Sequence, residues 1–230
     1  AYLGYGDPYL TVDGINVTHD KINSLIDYDA ISKFPIFSNK NAVILELGAG
    51  SARTSEAILT FNNNFKYVIC DIPPSIYISY KRLTKAFPNK KIDLLFDLND
   101  AESLEKGLLN SDICFIFPHQ LSYIKEKFFD ITIAINCLHE MNLKTLRYYF
   151  ENINRISRYF HFSIWKEIEL KYSKKYLLFG SGQRLNFEKG DYPINKKWKM
   201  ISKSEAIFPS NFIQVSYDLQ DNKEKLENEQ

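Results

Sequence analysis

Apolar residues recur along this chain in two alternating rhythms, short unbroken runs and longer stretches spaced by three and four. Residues 1–17 are rich in Gly, Tyr and Asp and predict a loop. Thr18 predicts the cap of a helix running from about His19 to Lys33, with Ile22, Leu25, Ile26 and Phe34 near helical spacing and Pro35 as its stop. Ala42–Leu47 is a continuous apolar run interrupted only by Glu46, as expected of a strand that a parallel sheet buries on both faces. Ser51 to about Phe61 predicts a helix, Asn62-Asn63-Asn64 a turn, and Tyr67–Cys70 a second strand ending at Asp71. Pro73-Pro74-Ser75 opens the next helix, because proline suits a first turn, and Pro88 closes the segment after Phe87. Further along, Ile92–Phe96, Ile113–Phe117, Ile131–Ile135 and Tyr159–Trp165 predict strands. Residues 100–109 and Leu143–Ile156 predict helices, the latter with Leu143, Leu146, Phe150 and Ile153 on one face.

Strands alternating with helices predict an α/β fold with a doubly wound, mostly parallel sheet. The end of the chain departs from this rhythm. Trp198–Ser202 and Phe212–Tyr217 are strand-like with no helix between them, and predict a closing hairpin that adds one antiparallel strand. The stretch 167–197 has weak periodicity and contains Gly180-Ser181-Gly182-Gln183-Arg184. Loops this long inside a compact domain are usually functional or disordered. Its aromatics Tyr172, Tyr176, Phe179, Phe187 and Tyr192 favour an ordered substrate-side lid, since disordered segments are poor in aromatics. Residues 219–230 form a polar tail, expected to be disordered from Asp221 on.

With 230 residues, 45% of them hydrophobic, the chain is long enough for one main domain with attachments. A net charge of +1, from 29 basic and 28 acidic residues, predicts neither a nucleic-acid nor a membrane partner. No apolar run approaches the ~20 residues of a membrane-spanning helix. Ala1–Pro8 has neither the charged nor the apolar region of a signal peptide, and it lacks an initiator Met, so the natural start is expected upstream. Cys70, Cys114 and Cys137 lie in or beside apolar runs with no zinc-ligand spacing, which predicts buried, reduced thiols and a cytoplasmic setting.

The chemistry is concentrated in Val43-Ile44-Leu45-Glu46-Leu47-Gly48-Ala49-Gly50-Ser51, a strand that runs into a glycine-rich turn and then a helix. The glycines let backbone approach a ligand with no Cβ in the way. Asp71, 21 residues after Gly50 at the end of the next strand, can accept hydrogen bonds from both hydroxyls of an adenosine ribose. Two cofactor classes share this layout. A dinucleotide fold needs a third small residue so that the helix packs close and meets the pyrophosphate, and here Arg53 holds that place. Glu46 stands where a dinucleotide fold is normally apolar. S-adenosylmethionine has a cationic methionine end and no phosphate, so an acid beside the turn suits it. The alternative is a Glu46 that only caps nearby amides.

Glu-x-Gly-x-Gly followed by the Asp71 acid resembles the first two motifs of class I methyltransferases. More narrowly, Leu45-Glu46-Leu47-Gly48-Ala49-Gly50, Cys70-Asp71-Ile72-Pro73-Pro74, Pro118-His119-Gln120 and Leu138-His139-Glu140-Met141 together resemble a family of sugar O-methyltransferases from bacterial polysaccharide gene clusters. The general likeness covers about residues 40–165, and the narrower one extends more loosely to the C-terminal hairpin. It implies a Rossmann-like, seven-stranded sheet, and methyl transfer from S-adenosylmethionine to a sugar hydroxyl in a bacterial cytoplasm. Residues 1–34 become a loop and helix capping the cofactor site, and 35–218 the methyltransferase domain. Members of that family are usually longer at the N-terminus, so a further segment of the substrate pocket is expected there.

Ligands of an open α/β sheet sit outside the carboxyl ends of its strands, where strand order reverses. In the order the resemblance implies, Asn136-Cys137-Leu138-His139-Glu140 follows the fourth strand and faces the methyl group. Pro118-His119-Gln120 ends the third strand and approaches the adenine. The cofactor is thus expected against Glu46, Gly48, Ala49, Gly50, Asp71 and Ile72, with His119, Gln120 and Asn136. Methyl transfer chiefly needs alignment, and a sugar hydroxyl also benefits from a positioned base. His139 is the first candidate, since imidazole titrates near neutral pH, and Glu140 the second. His139 also has a plain role open to it, capping the helix near Asn142. His119 has one too, bonding backbone, and His19 and His161 are expected to be ordinary. Arg184 and Lys175 either hold an acidic sugar or are solvated lid charges. No spacing rule makes a metal site of Asp97, Asp130 and Glu140, and no metal is expected. The acceptor is a sugar or nucleotide sugar. The rivals are another small acceptor such as an amine or phenol, a non-catalytic methyltransferase-like subunit, and an NAD-dependent oxidoreductase, which Arg53 and Glu46 disfavour.

Overall fold

The computed structural model describes residues 10–38, 41–166, 185–206 and 212–219, and the chain divides into two compact units, Ala1–Ile124 and Lys125–Gln230. Unit 1 holds a small hairpin, β1 (Leu10–Val12) and β2 (Ile15–Val17), where the sequence predicts only loop. The turn is Asp13-Gly14, with φ of 50° and 75°. Two positive φ values in an Asp-Gly pair match the twist of a hairpin, so the signal was local and present. Helix α1 (His19–Ser32) follows, its Lys21 N–H donating to the Thr18 hydroxyl at 3.4 Å.

Four parallel strands form the sheet of unit 1: β3 (Val43–Leu47), β4 (Lys66–Cys70), β5 (Ile92–Leu94) and β6 (Ile113–Ile116), in the spatial order β5-β6-β4-β3. Ile44, Leu45, Val68, Ile69, Phe115 and Ile116 are all fully buried, as strands covered on both faces must be. Helices α2 (Arg53–Phe61), α3 (Pro73–Ala86) and α4 (Ala101–Asn110) connect them. Asp100 caps α4 by accepting from Ser103 N–H at 2.8 Å. Helix α1 lies against α2, where Arg53 pairs with Asp27 at 2.6 Å and Tyr28 stacks on Phe61 with ring centroids 4.6 Å apart.

Unit 2 contains β7 (Phe129–Ile135), α5 (Leu143–Ile156), β8 (Ser157–Trp165), β9 (Lys199–Glu205) and β10 (Phe212–Asp218), in the spatial order β7-β8-β10-β9. Strands β7 and β8 are parallel, and β10 runs antiparallel to both β8 and β9, so the predicted hairpin contributes one antiparallel strand. The apolar face of α5 packs through Phe150 onto Phe160 and Trp198. Among the described residues the main strands number eight where the resemblance implies seven, with the short β5 at one edge. Cys70, Cys114 and Cys137 are buried thiols outside any disulfide, as expected. Among the described residues no helix is long and apolar enough to cross a membrane.

Candidate active site

In unit 1 the register of β3 and β4 brings both strands to an end together, Leu47 opposite Cys70, and Gly48 N–H donates to Cys70 O at 3.0 Å. The chain then turns through Gly48 (φ 64°), Gly50 (φ 55°) and Ala52 (φ 59°). Glycine adopts such angles freely, whereas Ala52 costs roughly 1–2 kcal/mol. A Cβ placed on Gly50 would meet nothing within 4 Å, so the turn faces open space. Asp71 spans the turn. One carboxylate oxygen accepts from Gly50 N–H at 3.0 Å, the other from Ile72 N–H at 2.7 Å. Each oxygen keeps a second lone pair, which suits a ligand with two adjacent hydroxyls. Burial raises the Asp71 carboxyl above its ordinary value, against the pull of those two N–H groups. Ile72 leaves 56% of its surface exposed beside them, an apolar platform at the strand edge.

Glu46 lies beneath the turn, 2% exposed. One of its oxygens accepts from the Ser55 hydroxyl and from Tyr67 Oη, the latter at 2.8 Å. Burial pushes the carboxyl up to about 7, against those hydrogen bonds and the Arg53 charge. The acid expected beside the turn is thus also a structural tie between β3, the first turn of α2 and β4. Arg82 of α3, 3% exposed, pairs with Glu56 and donates to Ser51 O at 3.2 Å, fixing the far side of the turn. Gln120 does not present its amide to a ligand. Its Oε1 accepts from Phe117 N–H, and its Nε2 donates to Leu95 O and Leu98 O, each at 2.8 Å. It braces the loop after β5. His119, in the same turn, is exposed at the end of β6.

In unit 2, β7 is followed by Asn136, which holds φ at 58° and donates its N–H to Ser163 O at 2.9 Å. A short 3-10 turn, Leu138–Glu140, follows. His139 stacks on Trp165 (centroids 5.2 Å, planes 19° apart) and meets Phe212 edge-on at 5.8 Å. Burial pushes its imidazolium down to about 4, so the ring is neutral at physiological pH. Glu140 is exposed, its neighbour half-buried, so the two candidate bases diverge. The helix cap left open for His139 is taken by Asn142, which accepts from Thr145 N–H at 2.9 Å. Among the described residues, Asn136 Oδ1, His139 Nδ1 and Trp165 Nε1 are buried without a hydrogen-bond partner.

No protein-family model matches this sequence, and no curated protein sequence matches it. Solved structures do. PigF, solved with SAH, aligns at a TM-score of 0.55 and 13% identity over 85% of this chain and 54% of its own. An O-methyltransferase family protein from Burkholderia thailandensis aligns at 0.52 and 9% identity, over 85% of this chain and 56% of its own. The PH0226 protein of Pyrococcus horikoshii OT3 aligns at 0.51 and 14% identity, over 86% of this chain and 90% of its own. The fold is the class I methyltransferase fold.

Within that methyltransferase fold, several contributors were not read from the sequence. Ser55, Tyr67 and Arg82 hold the turn, and Trp165 and Phe212 wall the His139 loop. Trp165 carried a usable signal, since it ends a predicted strand at the edge where His139 was expected. The region 167–184 of the expected lid, with Lys175 and Arg184, lies outside the described residues, as does the tail 220–230. Asp130 pairs with Arg158 at 3.3 Å, and among the described residues no three of His, Cys, Asp and Glu gather as a metal site would require. His161 is buried in β8 against the Ser216 hydroxyl, a core position.

Proposed function

We propose that this protein transfers a methyl group from S-adenosylmethionine to a hydroxyl of a small molecule. The acceptor is a sugar, in keeping with the motif resemblance and with a role in bacterial surface polysaccharide synthesis in the cytoplasm. The observation that carries the reading is the open glycine turn spanned by Asp71. A nucleoside needs such an arrangement: a carboxylate with lone pairs to spare for two hydroxyls, an apolar side chain for a base, and backbone that admits close approach.

The residues of unit 1 fit the cofactor. Asp71 would take the ribose hydroxyls, Ile72 and His119 the adenine, and Gly48–Gly50 the methionine end, with Glu46 beneath, its ionised form favoured once the cationic ligand is bound. S-adenosylmethionine supplies a methyl group activated by its sulfonium. The chain's own task is to align the acceptor and remove its proton. His139 is the base, because its neutral ring keeps Nδ1 free to accept the proton of the acceptor hydroxyl.

Calorimetric titration of S-adenosylhomocysteine into wild type and Asp71→Ala, with NAD as control, tests this. Micromolar binding of the first ligand alone, weakened at least tenfold in the variant, is expected. No binding by the folded protein rejects it and leaves a methyltransferase-like subunit without the chemistry, whereas binding of NAD instead rejects it in favour of an oxidoreductase.

A further inference from the structure

A buried polar atom without a partner costs roughly 1–3 kcal/mol, so natural proteins keep few of them and each calls for an explanation. Among the described residues, three gather at the carboxyl edge of β7 and β8: Asn136 Oδ1, His139 Nδ1 and Trp165 Nε1. They share one neighbourhood. Asn136 is bonded through its N–H to Ser163, two positions before Trp165 on β8, and Trp165 stacks on His139. Asn also suits the φ of 58° at position 136, but the ring stack on His139 does not need an indole nitrogen at position 165.

Their hydrogen-bonding characters differ. Asn136 Oδ1 only accepts, Trp165 Nε1 only donates, and Nδ1 of a neutral His139 accepts when the ring proton sits on Nε2. A complementary ligand therefore offers two donors and one acceptor within the span of neighbouring side chains. A primary amine must be neutral to attack, and its one lone pair then faces the methyl group, leaving no acceptor for Trp165. A phenol offers one hydroxyl, too few for both Asn136 and His139. Two adjacent hydroxyls on a ring satisfy all three. The aliphatic C–H face of such a ring can also lie against the Trp165 and Phe212 rings, which meet edge-to-face at 5.7 Å.

We infer that Trp165 and Asn136 select the acceptor: the indole N–H and the amide oxygen bind the hydroxyl next to the one whose proton passes to His139, so the substrate is a ring carrying a vicinal diol. This rests on the methyltransferase reading above, and it moves Asn136 from the expected cofactor set to the acceptor. Trp165 is a specificity-determining residue here, distinct from the base.

The chain has two tryptophans, so an amide-correlation spectrum carries two indole N–H signals. Trp198 Nε1 already donates to Asn154 Oδ1 at 2.6 Å and serves as the internal control. With S-adenosylhomocysteine saturating, the protein is titrated with methyl pyranosides, their nucleoside-diphosphate forms, phenol and benzylamine. A pyranoside should move the Trp165 signal downfield and leave that of Trp198 in place. Trp165→Phe keeps the stack on His139, and should weaken that pyranoside about tenfold while changing S-adenosylhomocysteine affinity less than twofold. A Trp165 signal that no pyranoside moves, one that phenol or benzylamine moves instead, or undiminished pyranoside binding by Trp165→Phe, overturns the inference. Failure of S-adenosylhomocysteine to bind the wild type is a separate result, and it rejects the parent reading.

Discussion

Burial sets the working range of His139, whose ring faces Trp165 and Phe212 in place of water. Loss of hydration disfavours the charged imidazolium and brings it down to about 4 from 6.5. As the proposed base, His139 stays competent well into acid, so on the proposed function the acid limb of kcat belongs near pH 4 and not near 6.5. His139→Ala should lower kcat by about 10²–10⁴ and leave S-adenosylhomocysteine affinity within about twofold. Unchanged turnover in a folded variant, or an acid limb at 6.5 in the wild type, removes His139 as the base. That His139 lies in the turn after a strand was legible from the apolar run that precedes it. What Glu46 and Gln120 do was not, because their partners come from distant parts of the chain. Tyr67 is 21 positions from Glu46, and Leu98 and Leu95 are 22 and 25 from Gln120. A polar side chain in a motif reads as a ligand contact until the fold shows which of its hydrogen bonds are already spent.

Helices and strands were most legible where one residue signals an end. Asn142 caps α5 and Asp100 caps α4, and both helices run within a residue of their predicted bounds. Helix α2 begins at Arg53 instead of Ser51, because Ala52 takes a left-handed backbone to finish the glycine turn. Strand β8 begins at Ser157 directly after α5, a junction without a loop that no turn residue announces. The docking of α1 on α2 was out of reach, since it depends on Arg53 finding Asp27 across 26 positions. That pair is largely shielded, with side-chain exposures of 16% and 8%. Removing one partner of such a pair strands the other charge, so Asp27→Asn should cost about 2 kcal/mol in urea unfolding. Double substitution with Arg53→Leu should recover part of that loss. A change under ~0.5 kcal/mol for Asp27→Asn would mean that aromatic packing, Tyr28 on Phe61, holds α1 by itself.

Over the whole molecule, buried titratable groups give the two units opposite responses to pH. In unit 1 the folded Glu46 keeps its proton up to about 7, whereas an unfolded chain releases it near 4.5, and Asp71 is shifted in the same direction. The folded state then binds more protons between those values, so unit 1 loses stability as pH rises through them. The Glu46 shift alone corresponds to about 3 kcal/mol at most. In unit 2, His139 and His161 are both held down to about 4 by burial, against 6.5 when free. There the unfolded chain binds more protons, so stability is present above 6.5 and is lost as pH falls toward 4. Hydrogen exchange at about pH 5 and about pH 7.5, corrected for intrinsic rates, resolves the two. Protection of β3 and β4 should be greater at the lower pH, and that of β8 and β10 at the higher. Glu46→Gln keeps an oxygen for Ser55 and Tyr67, so it should flatten the first trend and leave the second. Parallel trends in both units, or an unaltered slope in Glu46→Gln, would show that burial does not govern these groups. On the proposed function, a bound cationic ligand favours ionised Glu46, so S-adenosylmethionine should reduce the unit 1 slope more than uncharged S-adenosylhomocysteine sulfur can.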